Sequence, residues 1–410
     1  MPGRSGQPGG PARQRSLREA NLALALRQVA SAAVPASRAD IAAATGLTRS
    51  TASTLVDALL AAGLIAEVDP VAATGAGRPA TGLVLAPDGA AGIGLEVNVD
   101  YLAACVVDLA GRVRHREVVL QDQRGRPAPS VLADLADLAA AGRARAVAES
   151  VPVAGIRVAV PGLVQSETGL LRLAPNLGWR DVDVLGPLSR DRRLAGLGLG
   201  VDNEANLAAL AELYRGGAGG ADSFLHVSGE VGVGAGIVLQ GRLFRGGHGW
   251  GGEIGHLAID PDGPRCACGS RGCLEQLAGQ EAILRAAGLA TPAGTTMAGQ
   301  EPMSRLAELA WGRDHALLAA LERAGTALGV AVSGVVNLID VDTVVLGGLY
   351  AALAPWVLPP VEREIAGRVL SHPWAPVQVT CSQLGGDAAI LGAAGAVLQQ
   401  VLDHPARRLG

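Results

Sequence analysis

Four soft ligands crowd into one short stretch of this chain: His256, then Cys266, Cys268 and Cys273 in the run Cys266-Ala-Cys268-Gly-Ser-Arg-Gly-Cys273. One imidazole and three thiolates complete a tetrahedral set with no open position for water or substrate, which is the composition of a structural zinc site. The expected metal is Zn2+, and its task is to fix a loop. Cys-x-Cys followed by Gly-Cys forces a tight knuckle, in which Gly269 and Gly272 supply turns that a Cβ would hinder. Ordinary buried or paired cysteines are the competing reading, and the crowding of ligands argues against it. Glu253 and Glu275 flank the knuckle, so a metal clamp would set two carboxylates on one rigid polar wall.

The two other cysteines, Cys105 and Cys381, sit in apolar, strand-like runs and read as core thiols. All 34 basic residues are arginine. The absence of lysine excludes the phosphate loop ending in Gly-Lys-Ser/Thr, Schiff-base chemistry and any catalytic lysine. With 410 residues, 49% of them hydrophobic, the chain can build two or three domains with sizeable cores. No uninterrupted apolar run reaches the length of a membrane span, and the amino terminus lacks a charged end followed by an apolar core. A cytoplasmic protein without a membrane partner is expected.

The net charge of -4 hides an asymmetry: residues 1–80 carry eight Arg against five acids, and the remainder is acidic. Residues 1–15, rich in Gly, Pro and Arg, read as a disordered basic arm. From Ser16 the pattern turns helical, with Leu17, Leu22, Leu24, Leu26 and Val29 apolar. Ser37 then caps a short helix from Arg38 to Ala44, Thr45-Gly46-Leu47 turns, and Thr48 caps a third helix carrying Ala52, Leu55, Val56, Leu59 and Leu60. This is helix-turn-helix spacing. Thr48, Arg49, Ser50, Thr51, Ser53 and Thr54 offer hydroxyl and guanidinium groups suited to phosphates and base edges in a major groove, with Arg38 nearby. Leu64–Glu67 and Gly82–Leu85 read as strands joined by Gly75-Ala-Gly-Arg78-Pro79, a wing that brings Arg78 to the DNA backbone or minor groove. Residues 16–86 are therefore expected to form a winged helix-turn-helix domain that binds double-stranded DNA. A packing module of three helices and a hairpin is the plainer alternative.

Beyond Pro87-Asp88-Gly89 the pattern alternates. Ile93–Val97 and Leu102–Asp108 read as a hairpin, followed by a strand at 113–120, a helix around 130–148 and a buried strand at 155–160. Val227–Leu239, a helix at about 315–337 and Thr343–Gly348 continue a mixed α/β body.

Gly232-Val-Gly234-Ala-Gly236-Ile, then Gly246, then Gly252-Glu253-Ile254-Gly255-His256 and the knuckle resemble the signature of the ROK group of repressors and sugar kinases. The likeness runs from about Ser16 to the last helix and lies closest to the xylose-type repressors of that group. It implies a two-lobed, actin-like (ribonuclease H-like) body of the sugar-kinase type, an α/β fold behind the winged head. The first lobe would comprise residues 90–205 plus about 385–405, and the second 206–384 with the zinc knuckle. The resemblance also implies sugar contacts at Asn176, Asn203, Glu204, Glu253, His256 and Glu275, with His256 serving the metal as well. Amides and carboxylates suit a sugar, whose hydroxyls each donate and accept and must be satisfied on desolvation. Taken alone, Asn176 and Asn203 read as turn or cap residues.

Departures from the kinase pattern separate two functions. Kinases of the group open the body with Asp-x-Gly-Gly-Thr, whose glycines admit nucleotide phosphates; here the run is Glu96-Val97-Asn98-Val99-Asp100, and Asp100 is expected to set a carboxylate near the phosphate position. Glu204 stands where the kinases have a catalytic Asp, and Glu230 alters a second phosphate loop. Gly347-Gly348 resembles the adenosine motif but reads equally as a strand-to-helix turn. The resulting expectation is a non-enzymatic regulator, a repressor whose operator binding responds to a sugar, acting as a homodimer or dimer of dimers. The alternative is an ATP-dependent hexose kinase, bifunctional or not.

Overall fold

A capping box starts the second helix of the chain as its sequence dictates: the Ser37 hydroxyl accepts from the Asp40 N–H, and the Asp40 carboxylate accepts from the Ser37 N–H at 2.9 Å. The structure, a computed structural model, describes residues 10–69, 81–289 and 301–408. Helix α1 (Gly10–Ser31) begins earlier than the periodicity from Ser16 suggests. Pro11 lies in its first turn, where a missing N–H costs nothing. Residues 10–15 thus belong to a helix rather than to an arm, and residues 1–9 lie outside the described chain. Helix α2 (Arg38–Thr45) ends at Gly46 with φ +70°, and Thr48 caps α3 (Arg49–Ala61) by accepting from the Thr51 N–H. Strands β1 (Ile65–Val68) and β2 (Gly82–Leu85) pair antiparallel. Their connection, with the expected wing tip and Arg78, lies outside the described residues.

The body continues with β3 (Ala91–Val97), β4 (Tyr101–Asp108), β5 (Val113–Leu120), α4 (Ala128–Ala148) and β6 (Val153–Val160). A small sheet follows, β7 (Leu163–Gln165), β8 (Leu170–Ala174) and β9 (Trp179–Asp183), then α5 (Leu185–Arg190), β10 (Gly198–Asn203) and α6 (Glu204–Arg215). The second half contains β11 (Phe224–Gly229), β12 (Val233–Leu239), β13 (Arg242–Leu243), α7 (Glu275–Ala278), α8 (Gln280–Ala286), α9 (Glu301–Trp311) and α10 (His315–Ile339). It closes with β14 (Thr343–Gly348), α11 (Leu349–Ala352), α12 (Ala354–Arg368), β15 (Gln378–Cys381) and α13 (Ala388–Asp403). The two five-stranded sheets repeat one topology. Their orders are β10-β6-β3-β4-β5 and β13-β12-β11-β14-β15. In each, the first strand in sequence is central, with an antiparallel hairpin partner on one side and parallel strands on the other.

Period-two alternation decides what each face of the first sheet covers. On β4, Leu102, Ala104 and Val106 pack toward α4, whereas Ala103, Cys105 and Val107 join a core made by α13 and the amino-terminal helices. That second core is continuous from head to body: Leu22, Leu26, Val29, Ile41, Leu55 and Leu59 share it with Ile390, Leu398 and Val401. Each such buried side chain contributes about 1.5–3 kcal/mol relative to exposure. Arg27 adds an ion pair to Asp403 at 2.6 Å. Close backbone approach sets the position of α13: a Cβ on Gly94 would stand 2.0 Å from the Ile390 carbonyl oxygen, and one on Gly392 1.7 Å from that of Leu207. Glycine is required at both contacts.

Helix α10, 25 residues long, is long and apolar enough to cross a membrane by length and composition, although Glu322 and Arg323 interrupt its apolar run. Its apolar residues, Leu317, Leu321, Leu328 and Val332 among them, are instead packed in the core of the second sheet. Cys105 is buried as expected, but Cys381, at the end of edge strand β15, is only half-buried.

Candidate functional site

Strand ends and helix starts from both sheets converge on one cleft, lined by Glu96, Asn98, Asn176, Asn203, Glu204, Glu230, Glu253, His256 and Glu275. It encloses about 1000 Å³ of space, part of it open to solvent. All six residues expected to contact a sugar line it. Asn176 comes from the β8–β9 turn, Asn203 and Glu204 from the junction of β10 and α6, Glu253 and His256 from the approach to the knuckle, and Glu275 from the first position of α7.

Within the cleft the amides are already engaged. Asn203 caps α6, its Oδ1 accepting from Ala205 N (2.9 Å) and Asn206 N (3.1 Å), while its Nδ2 donates to Gly162 O (3.1 Å) and to Glu204 Oε2 (2.8 Å). The cap reading is therefore correct for Asn203, and the same side chain positions Glu204. Asn176 donates to the Glu275 carboxylate, which also accepts from the backbone of Val233. Burial raises the pKa of Glu204 far above the usual carboxylate range, with repulsion from Glu253, Glu230 and Glu96 adding to it. Burial likewise raises Glu253 and Glu275, opposed in each case by His256.

A second polar group, not assigned to the site from the sequence, bridges the two halves of the cleft. Asn98 Nδ2 donates to Glu96 Oε1 at 3.2 Å and, in a very short contact, to Glu230 Oε2. Tyr101 Oη donates to Glu96 Oε1 at 2.9 Å, and Glu96 Oε2 is buried without a partner. Burial first, then repulsion from Glu230, pushes Glu96 up to about 8; burial pushes Glu230 up to about 7. The sequence signal was an acid inside an apolar strand, Ile93-Gly-Leu-Glu96-Val. Asp100 corrects its own expectation: it turns out of the cleft to Arg124, 2.7 Å away, which also reaches Asp122 and Glu281. Glu96 and Glu230, and not Asp100, are the acids that line the cleft beside Asn98.

Local turn chemistry builds the wall next to Glu253. Gly269 and Gly272 adopt φ +98° and +60°, and a Cβ on Gly272 would stand 1.5 Å from the Asp260 carbonyl oxygen. Both glycines are needed where the sequence places them. His256, Cys266, Cys268 and Cys273 offer ligand atoms all within 4.8 Å of one another. Cys268 Sγ and Cys273 Sγ lie 3.7 Å apart, and Cys266 Sγ lies 3.8 Å from His256 Nδ1. A tetrahedral ion with metal–sulfur bonds of about 2.3 Å requires sulfur atoms about 3.8 Å apart, whereas a disulfide requires about 2 Å. The set fits one tetrahedral metal ion. His256 points Nδ1 at the thiols and Nε2 toward Glu253, 4.0 Å from its Oε2, so one nitrogen faces the metal position and the other faces the cleft.

In the head, Arg49, Ser50 and Thr54 are exposed, while Thr51 and Ser53 are half-buried. Several of these groups are locally engaged: Thr48 Oγ1 caps α3, and Thr54 Oγ1 donates to Ser50 O at 3.0 Å. Arg38 is not free, because its guanidinium bridges Asp57 (3.0 Å) and Glu67 (2.8 Å), tying α2 to α3 and β1.

Two sheets of repeated topology, a cleft of carboxylates and amides between them and a thiol-imidazole knuckle in its wall define a two-lobed α/β protein with a hydrogen-bonding ligand cleft. The ROK family profile matches residues 92–400. The chain belongs to the ROK family. It is 30% identical over 372 residues to the xylose repressor of Bacillus subtilis (strain 168), covering 90% of this chain and 92% of that protein. Among solved structures, a ROK family transcriptional regulator, a homologue of the E. coli MLC protein, superposes with a TM-score of 0.77 at 25% identity, over 96% of this chain and 99% of that one. A ROK family glucokinase from Streptomyces griseus, in complex with glucose and AMPPNP, superposes with a TM-score of 0.63 at 28% identity, over 75% of this chain and 99% of that one.

Proposed function

We propose that the chain is a DNA-binding transcriptional repressor whose operator affinity is set by a sugar held in the cleft. The observation that carries this reading is the physical continuity of cleft and head. Helices α6 and α13 both begin at the cleft, with Asn203, Glu204, Ala388 and Ala389 in its lining, and both reach the head at their far ends through Ala211, Leu398 and Val401. Relatives that match over nine-tenths of the chain carry the name xylose repressor, which makes a pentose the first effector to test. Glu253, Glu275 and Asn176 are proposed to satisfy the sugar hydroxyls, with Glu204 held ready by Asn203. Zn2+ at the knuckle would hold His256 by Nδ1 and leave Nε2 for the sugar, so the metal fixes the angle of one ligand contact.

The head is read as a winged helix-turn-helix in which α3 enters the major groove. Arg49, Ser50, Thr51, Ser53 and Thr54 are the proposed base and phosphate contacts, with Arg78 in the wing. Arg38 and Thr48 shape the module from within. Two heads in a dimer would meet a palindromic operator. Sugar binding changes occupancy of DNA only as far as it discriminates between two arrangements of the heads, which requires a few kcal/mol of differential affinity. Phosphoryl transfer is disfavoured on this reading, because Asn98 and Val99 stand for the glycines of the kinase phosphate loop and Asn98 is bonded to Glu96 and Glu230.

The test uses the full-length protein and DNA from upstream of its own coding region. D-xylose and other unphosphorylated sugars should raise the melting temperature without ATP and lower DNA binding in fluorescence anisotropy. DNA binding indifferent to every sugar would remove the sensor reading. ADP formation dependent on Glu204 would replace it with the kinase.

A further inference from the structure

Asp202 stands near the end of β10, one residue before the Asn203–Glu204 pair of the cleft, and is only 1% exposed. A carboxylate buried so far needs a cation and hydrogen bonds to stay charged. Its cation comes from the other half of the molecule. Arg245, which follows β13, donates through Nη1 to Asp202 Oδ1 at 3.0 Å and through Nη2 to Oδ2 at 2.5 Å. The guanidinium grips both oxygens as a fork, the strong form of such a pair. Ser166, in the β7–β8 turn, donates to Asp202 Oδ1 at 3.3 Å and accepts from Arg245 at 3.2 Å. Among the described residues one other ion pair joins the two sides of the cleft, Arg124 with Glu281, and it is exposed at Glu281 and screened by water.

Both members of the buried pair adjoin cleft residues. Asp202 Oδ1 also accepts from the Asn203 N–H at 2.9 Å, so the carboxylate orients the turn that presents Asn203 and Glu204. Arg245 opens the run Arg245-Gly-Gly-His-Gly-Trp-Gly-Gly252 that leads to Glu253 and His256. Its carbonyl accepts from the Gly251 N–H at 2.9 Å, which closes the run on itself. A Cβ on Gly252 would stand 2.3 Å from the Ala235 carbonyl oxygen, so the run is seated on β12. A second guanidinium waits beside the pair. Arg157, on β6 of the same sheet as Asp202, lies 3.9 Å from Asp202 Oδ2, and its Nε is buried without a partner.

We propose that Arg245 is a positioning residue for the effector: by gripping Asp202 across the cleft it sets Asn203 and Glu204 at working distance from Glu253 and His256, and Asp202 passes to Arg157 when the two halves part. The proposal rests on the cleft being the effector site and adds the device that spaces its two walls. Loss of the grip lowers the share of molecules in the closed arrangement, and the apparent affinity falls by the same factor. For a charge-assisted fork that factor is about 10-fold to 100-fold.

The experiment compares full-length wild type with Arg245→Ala, Arg245→Lys and Arg157→Met, first by hydrogen exchange without ligand and then by isothermal titration with D-xylose and D-glucose. In Arg245→Ala, peptides covering residues 198–206 and 245–256 should exchange faster together. The dissociation constant of the sugar that binds wild type should rise about 10-fold to 100-fold at unchanged stoichiometry. Arg245→Lys keeps the charge without the fork and should recover part of that loss, which also serves if the alanine variant does not fold. Arg157→Met removes the waiting partner and should tighten binding; weaker binding in the folded variant overturns the exchange. Faster exchange confined to 245–256, with an unchanged dissociation constant, reduces Arg245 to a local structural residue and overturns the proposal. A lower stoichiometry at an unchanged dissociation constant marks a partly unfolded population and overturns it equally. Joint acceleration in a protein that binds neither sugar supports the grip across the cleft and counts against the effector reading, so the two fail separately.

Discussion

Replacing Glu96 by Gln should change the way stability depends on pH more than stability itself. Glu96 is 1% exposed and accepts from Asn98 and Tyr101 through one oxygen only, so its ionised form would leave a buried charge half-solvated. In the unfolded chain the group titrates near 4.3, while in the fold it is held up to about 8, with Glu230 up to about 7. Between these values the folded state binds more protons than the unfolded state, so stability is fully present below the unfolded pKa and is lost as pH rises. One proton changes stability by about 1.4 kcal/mol per pH unit. From pH 5.5 to 7.5 the Glu96 carboxyl therefore removes roughly 3 kcal/mol, with Glu230 coupled to it and contributing over the lower part of the window. Glu96→Gln keeps the shape and an acceptor oxygen for Tyr101 and abolishes the titration. Melting temperatures of wild type and Glu96→Gln should be followed by circular dichroism from pH 5.5 to 8.5. The variant should be equal or slightly less stable at pH 5.5 and should gain on the wild type as pH rises, by several degrees at pH 8.5. Parallel curves would refute the protonated-pair argument, because the other raised carboxyls, Glu204, Glu253 and Glu275, are common to both proteins.

Cys268→Ser should lower bound zinc, measured by atomic emission, from one equivalent toward zero and weaken the response to sugar; full metal loading would contradict the tetrahedral assignment. Arg49→Ala should weaken DNA binding and reduce the slope of affinity against salt by about one counterion; an unchanged slope would show that Arg49 stands away from the phosphates. Gly392→Ala places a methyl 1.7 Å from the Leu207 carbonyl oxygen and should destabilise by about 1–3 kcal/mol, read as a lower melting temperature; an unaffected protein would mean that α6 and α13 separate easily.

What the sequence made legible had strong local chemistry. The capping box at Ser37, the stop at Gly46 and the cap at Thr48 gave α2 and α3 almost to the residue, because side chain and backbone satisfy each other within one turn. Four soft ligands and two turn glycines gave the knuckle. Apolar runs gave β3 to β6 but not the small sheet of β7 to β9, whose strands are short and only partly covered. Helix α12 escaped notice because Pro359 and Pro360 lie inside it; tertiary packing of Val357, Val361 and Ile365 against α10 outweighs the lost hydrogen bonds. In the cleft, motif resemblance found six of the lining residues, and it could not show that Asn203 is saturated or that Asp100 faces Arg124. Those depend on rotamers and on distant partners. The bridge through Asn98 was hidden for the same reason, since Glu230 lies 132 residues away in sequence.

The shared core beneath the head has a consequence for how such chains diversify. Leu22, Leu26 and Leu59 occupy the same apolar layer as Cys105, Val107, Ile390 and Leu398, so the head is the lid of that layer and not a tethered passenger. Cutting the chain near residue 89 would leave a greasy scar on the body, prone to self-association, and would deprive the fragment of the apolar partners it shares with α13 and β4. A descendant that discarded the head would have to repaint this face with polar side chains at the same time. With α3 as the proposed reading helix, an engineer changing the operator has the opposite freedom: its exposed turn can be rewritten residue by residue, provided that its inward seam is left alone.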